Sequence, residues 1–269
     1  MNPFVKNTFA GIAFASLSLM HTTASAAEPT IETILSNGEL KVCFEAGYIP
    51  FEMKSKDGRY IGFDIDIAKL MARAMKVNFV PVNTAWDGII PALQTGKCDI
   101  IIGGIAITPE RNLKVMFSNT YIEIGQTVLL SPKLKDSVKS YRDLNDPKYT
   151  VVSQVGTTGA IAAKKYLPKA NIDLFETSAD AVLQVSNGKA DAFVYDLPYN
   201  ALYASQHQDK VYHLDSSFTY EPLGWAIRKH DYHFLNFLNN YLVQIKKDGS
   251  YQRIYDKWFK SDAWLSSIQ

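Results

Sequence analysis

Beyond residue 36 the apolar positions follow two alternating rhythms. Short apolar runs at 40–45, 77–82 and 99–102 have the length and bounds of buried strands. Between them, 62–75 sets Phe63, Ile67, Leu70, Met71 and Ala74 on one helical face, and 86–94 reads as a short helix ending at Gly96. Strands and helices in that order predict a parallel sheet covered by helices on both faces. The same order restarts downstream. Strands are expected at 149–154, 172–176 and 190–195, with one helix running to about Tyr166 and another at 179–187. Two extended stretches, 121–132 and 220–228, flank this second half, and a long helical tail is expected over 234–259. The chain has 269 residues, more than the ~100–150 typical of a single-core domain. An α/β protein of two lobes, with two crossings between them, is therefore expected.

The first residues stand outside this pattern. Lys6 gives a positive start, an apolar run follows from Phe9 to Met20, and Ala24-Ser25-Ala26 is a small-x-small cleavage site. These features predict a signal peptide over 1–26 and a mature chain beginning at Ala27. The apolar run is too short to span a bilayer and ends in His21-Thr22-Thr23. No cysteine lies near the cleavage site, which argues against a lipoprotein, so a soluble periplasmic protein is expected. Lys+Arg number 28 against 27 Asp+Glu. Losing Lys6 with the leader leaves the charge balanced, which gives no general attraction for nucleic acid or acidic lipid. Cys43 falls inside a predicted strand and Cys98 just before another. Side chains so placed rarely meet with disulfide geometry, and two buried free thiols are expected.

In open parallel sheets, ligands bind in the crevice beyond the carboxyl ends of the strands. That rule selects Glu45 to Tyr48, Gly103 to Arg111, Gln154 to Gly159, and Asp196. Thr108 suits a helix N-cap, Pro109 the first helical position, and Glu110 the helix dipole. Arg111 opposes that dipole, at a cost of about 0.3–1 kcal/mol. It is either a solvated partner of Glu110 or, with the free helix N–H groups, a carboxylate receptor. Gly103 and Gly104 either admit a ligand to the backbone or only make a tight turn. Asp196 ends an apolar strand, where it meets a cation such as an ammonium group or caps the helix beginning near Pro198. Tyr48 and Trp86 are core residues or walls for a ligand's side chain. Beside Glu45 they suit a cationic side chain, through charge pairing and cation–π contact.

Other features point away from catalysis and metals. Gly156-Thr157-Thr158-Gly159 lacks the Lys-Ser/Thr ending of a nucleotide loop. Asp64-x-Asp66 opens a helix, where carboxylates favour the dipole, and is read as structural. His230 and His233 have no third ligand nearby in sequence. No nucleophile elbow and no Cys-x-x-Cys pair occurs. No metal, no cofactor and no enzymatic activity is expected.

Several ordered runs nevertheless define a family. They include Ile49-Pro50-Phe51-Glu52, Gly62-Phe63-Asp64-Ile65-Asp66 and Trp86-Asp87-Gly88-Ile89-Ile90-Pro91-Ala92-Leu93. Gly104 to Arg111, Gly156-Thr157-Thr158, Ala190-Asp191-Ala192, and Asp248-Gly249-Ser250-Tyr251 through Lys257-Trp258-Phe259 complete the set. Across 40–259 the chain resembles the solute-binding proteins of polar amino-acid ABC transporters. The resemblance implies two α/β lobes, the first from 27–120 and 224–269 and the second from 126–218, with hinges near 121–125 and 218–223. It implies that Arg111 holds an amino acid's α-carboxylate and Asp196 its α-ammonium. Gly104, Ala106 and Thr158 would contact the ligand backbone, although Ala106 lacks the hydroxyl often found there. Tyr48 and Trp86 would wall the pocket and Glu45 would read the side chain, making lysine or arginine the expected ligand. Gly103, Gln154, Thr157 and Tyr195 are weaker pocket candidates. The implied partners are a small amino acid and an inner-membrane ABC permease, with the protein itself a monomer. Cyclohexadienyl dehydratases share this fold and use a glutamate just after the Gly-Thr segment; no acid occurs here from Gly156 to Ala163.

Overall fold

The structure is a computed structural model describing Met1 and residues 30–268. Apart from Met1, the expected leader and its cleavage site lie outside the described residues. Helix α1 (Thr30–Asn37) leads into β1 (Glu39–Phe44), and the hairpin β2 (Met53–Lys54) and β3 (Tyr60–Ile61) precedes α2 (Phe63–Ala74). Phe63, Ile67 and Met71 are buried along α2 as their spacing predicts. The buried stripe also takes in Ala68 and Ala72, leaving Ala74 exposed in the last turn. Strand β4 (Asn78–Asn83), helix α3 (Ile89–Gln94) and strand β5 (Ile100–Ile101) follow. Together β4, β1 and β5 form the expected parallel trio.

Helix α4 (Pro109–Asn112) and strand β6 (Met116–Phe117) end this half. The chain then crosses along β7 (Ile122–Ile124) into β8 (Gln126–Leu130) of a second sheet. That sheet is completed by β9 (Thr150–Gln154), β10 (Asn171–Phe175), β11 (Ala192–Asp196) and β12 (Tyr212–Leu214). Helices α5 (Thr158–Tyr166), α6 (Ser178–Ser186) and α7 (Leu197–Gln206) follow β9, β10 and β11. The chain returns through β13 (Glu221–Leu223), antiparallel to β7, into β14 (Ala226–Ile227) of the first sheet.

The sheet orders are β4-β1-β5-β14-β6 and β10-β9-β11-β8-β12. Each is a parallel trio extended by two antiparallel strands. Of the extra strands, β8 and β14 lie in the extended stretches expected at 121–132 and 220–228, whereas β6 and β12 lie outside any expected strand. At the crossing, Tyr121 stacks between Phe63 and Trp225, with ring centroids 6.2 and 5.6 Å apart. All three rings are fully or almost fully buried. Burying a ring of this kind stabilises by about 1.5–3 kcal/mol, so the chain leaves and re-enters the first sheet over a rigid base.

Two expectations fail. The single helical tail is two helices, α8 (Tyr232–Lys247) and α9 (Ser250–Phe259), because Gly249 adopts a left-handed φ of 78° between them. Cys43 and Cys98 are joined in a disulfide, with Cα atoms 5.7 Å apart. Helix α3 folds back on the sheet, and the chain entering β5 lies directly against β1, where the Asp99 N–H donates to the Lys41 carbonyl. Both cysteines therefore sit in one cluster with Ile89, Ala92 and Leu93 of α3. Periodicity put Cys43 in one strand and Cys98 just before another but did not bring the two side chains together. Among the described residues, no helix is long and apolar enough to cross a membrane.

Candidate functional site

The carboxyl ends of both parallel trios face one cleft, and the buried charges converge there. Glu45 and Tyr48 follow β1, Gly103 and Gly104 follow β5, and Arg111 lies in α4; all line one pocket. From the second sheet come Thr157 and Thr158 after β9, and Tyr195 and Asp196 at the end of β11. Glu52 and Trp86 complete it. A larger cavity of about 650 Å³ borders the crossing strands and helices α7 and α9. Its walls carry Glu123 and Asp262 but no basic side chain, whereas the smaller pocket has opposed charges and backbone donors.

On the first-lobe side, Thr108 caps α4 by accepting from the Arg111 N–H at 3.2 Å. The Arg111 side chain does not pair with Glu110. Its guanidinium is buried and donates to the carbonyls of Ala106 at 2.9 Å and Gly156 at 3.2 Å. It also lies 5.4 Å from the Trp86 ring centroid. Burial pulls its pKa below the usual value, although Asp196, Glu221 and Glu110 favour the charge. Gly104 is required twice over. Its φ is 60°, and an added Cβ would stand 2.2 Å from Tyr48 Cε1. Its N–H donates at 2.8 Å to Asp64.

On the second-lobe side, Asp196 occupies the N-cap position of α7 but makes no side-chain cap bond. Its carboxylate instead accepts from Tyr48 OH on one oxygen and Gln126 Nε2 on the other. Burial raises its pKa to about 6, with the Tyr48 hydrogen bond opposing that rise. Gln126 also reaches Thr158 Oγ1 at 3.3 Å. Thr157 is committed to capping α5, accepting from the Ala160 N–H at 3.2 Å.

The lobes meet directly across this pocket. Besides Tyr48 to Asp196 and Arg111 to Gly156, Trp86 Nε1 donates to the Gly156 carbonyl at 3.0 Å. Gln154 Nε2 donates to Glu45 Oε2 at 2.7 Å, and Gln154 Oε1 accepts from Tyr195 OH at 3.0 Å. Glu45 also accepts from the Trp86 N–H at 3.3 Å. Burial raises the Glu45 pKa, with the Gln154 hydrogen bond working against it.

All the sequence-selected residues thus lie in or beside one cleft. Ala106 faces it through its carbonyl and pairs with Leu223 of β13. Four polar residues were missed: Glu52, Asp64, Gln126 and Glu221. Asp64 was read as a helix-opening acid, yet it is fully buried, and its Oδ2 also accepts from Tyr121 OH at 2.9 Å. A glutamine opening the apolar run 126–130 was the available signal for Gln126. Among the described residues, no cluster of three or more His, Cys, Asp or Glu side chains suits a metal ion.

Two α/β lobes that close on a pocket of opposed charges define the two-lobed solute-binding class. The family comparison agrees: residues 40–261 match the bacterial extracellular solute-binding proteins, family 3, and the chain belongs to that family. It is 32% identical over 220 residues to the ABC transporter arginine-binding protein 1 of Escherichia coli, spanning 80% of this chain and 88% of that one. Among solved structures it is similar to a binding component of an ABC transporter from Wolinella succinogenes complexed with lysine. That match has a TM-score of 0.83 and 51% identity, and covers 85% of this chain and 99% of that one. It is also similar to an ancestral amino-acid-binding protein, a precursor of cyclohexadienyl dehydratase. There the TM-score is 0.81 and the identity 50%, over 86% of this chain and 99% of that one.

Proposed function

We propose that this chain is the periplasmic amino-acid-binding component of an ABC uptake transporter, and that its ligand is cationic, lysine or arginine. The observation that carries the reading is the polarity of the pocket. Arg111 offers a buried guanidinium for a carboxylate, Asp196 offers a carboxylate for an ammonium, and Glu45 stands apart from both at the end of β1. An α-amino acid presents its carboxylate and ammonium on one carbon, which fits the Arg111 and Asp196 pair. A third acid leaves a position for a second cation. The lysine complex of the structural neighbour and the arginine-binding relative support the same ligand class.

In this reading Gly104, Ala106 and Thr158 contact the ligand backbone, and Tyr48 and Trp86 flank its side chain. Gly103, Gln154, Thr157 and Tyr195 shape the walls. The lobes hinge at 121–125 and 218–223, and the mature monomer is delivered to the periplasm without a lipid anchor. Because the charges are divided between lobes, ligand and closure are coupled. The protein binds rather than converts its ligand: the cleft-facing segment from Gly156 to Ala163 holds no acid to serve a dehydratase. A thermal-shift screen of the common amino acids and prephenate tests this, since a ligand specific to the folded state raises Tm. Lysine or arginine should give the largest shift. Turnover of prephenate to phenylpyruvate would overturn the binding-only reading.

A further inference from the structure

Glu52 is the one lining acid of the pocket that the reading above leaves unused. It is 1% exposed, and its Oε2 has no hydrogen-bond partner. Among the described residues, no ion pair reaches it. Its carboxyl lies beneath the turn after β5, so closely that a Cβ on Gly103 would stand 3.2 Å from Oε1 and 3.0 Å from Phe44 Cβ. Gly103 therefore makes room for an acid at the pocket floor.

The groups facing Glu52 are acids and phenols. Asp64 approaches from α2 and Glu45 from the end of β1, and both oppose its ionisation. Tyr48 from its own loop and Tyr121 from the crossing segment feel its charge unfavourably. Asp64 is compensated by the Gly104 N–H and the Tyr121 hydroxyl. Glu52 has no such donor, and the cation lining the pocket, Arg111, is engaged by the Ala106 and Gly156 carbonyls. A buried, uncompensated carboxylate is strongly disfavoured, so the group takes up a proton instead. Burial first, then Asp64 and Glu45, push its pKa well above the ordinary glutamate value.

We propose that Glu52 is a second specificity acid of this pocket, neutral until a cationic side chain enters beside Glu45 and then ionised, its proton passing to solvent. This rests on the cationic-ligand reading above. A neighbouring positive charge favours the carboxylate, so the arriving ammonium or guanidinium supplies what the fold withholds. At Glu52, binding of a cation is then linked to proton release, and binding of a neutral amino acid is not. Linkage fixes the sign: affinity for lysine rises with pH over the range in which free Glu52 holds its proton, by up to about tenfold per pH unit for one proton released.

Isothermal titration calorimetry with lysine, in buffers of different ionisation enthalpy at one pH, counts the protons. Wild-type protein should release a proton on binding lysine, approaching one per lysine at a pH where free Glu52 holds its proton. Glu52→Gln should bind lysine with that release abolished and the pH slope flattened. Lysine binding to the wild type with no buffer dependence would overturn the role of Glu52 while leaving the ligand class intact. Unchanged release in Glu52→Gln would assign the proton to another acid and overturn it equally. If neither lysine nor arginine binds, the ligand class itself fails and this proposal with it.

Discussion

The two faces of the cleft are built on opposite principles. The second-lobe face is a hydrogen-bonded network: Gln126 joins Asp196 to Thr158, and Gln154 joins Tyr195 to Glu176. The first-lobe face holds the buried ionisable groups Arg111, Glu52 and Asp64, none of which forms an ion pair among the described residues. The first face supplies most of the buried ionisable groups, and the second supplies Asp196 together with the hydrogen bonds that orient it. Each completes the other, since Tyr48 meets Asp196 and Gln154 meets Glu45 only where the lobes touch. In the proposed reading, recognition depends on closure as much as on any one residue.

The sharpest way to break this division is to remove the first face's cation. Arg111→Ala should weaken amino-acid binding by about 3–5 kcal/mol, because Asp196 and a ligand carboxylate lose their buried counter-charge. Circular dichroism should show the fold intact. Titration giving near-wild-type affinity would contradict the assignment.

Covalent support also differs between the faces, since the Cys43–Cys98 disulfide lies wholly in the first lobe. Replacing both cysteines with alanine should lower stability by about 2–4 kcal/mol. Trp86, Trp225, Trp258 and Trp264, the four tryptophans of the chain, all lie outside the second sheet and its helices. Denaturation followed by tryptophan fluorescence should therefore register that loss.

On the second face, Asp196→Asn keeps the shape and removes the charge. Binding should weaken by about 2 kcal/mol, within the range for a hydrogen bond to a charged group. The free protein should lose no stability at pH 8, because its ionised carboxylate is penalised there by burial. Calorimetry and thermal melting separate the two effects.

Protonation gives the smallest effect. Asp196 and Asp64 have pKa values raised by burial to about 6 and about 7. The folded protein thus keeps protons that the unfolded chain has lost above the normal carboxylate range. Their contribution to stability is greatest in acid and declines as pH rises through 7. The ligand-free Tm should be a few degrees lower at pH 8 than at pH 5.5, and Asp64→Asn should reduce that slope.

Parts of both faces were legible because strand ends and helix starts announce themselves. Asp196 closes an apolar run on the second face, and Arg111 sits on the first where a helix dipole disfavours it; each also had a local reading, as a helix cap and as a solvated partner of Glu110. The parallel trios were legible for the same reason, through apolar runs alternating with helical stripes. Glu52 and Asp64 were not, because their significance depends on contacts across the fold. Asp64 looks like an ordinary first-turn acid until α2 is packed against the loop carrying Gly104. The Cys43–Cys98 pair was hidden likewise, since strand adjacency is set by topology and is absent from periodicity.

The central claim is that Glu45 selects a cationic side chain within a pocket that grips any α-amino acid through Arg111 and Asp196. Competition calorimetry with lysine, arginine, glutamine and glutamate, on the wild type and Glu45→Gln, tests it most directly. The account predicts that lysine or arginine binds tightest to the wild type and loses most of its margin over glutamine in the variant. Glutamine or glutamate binding tightest to the wild type would contradict it.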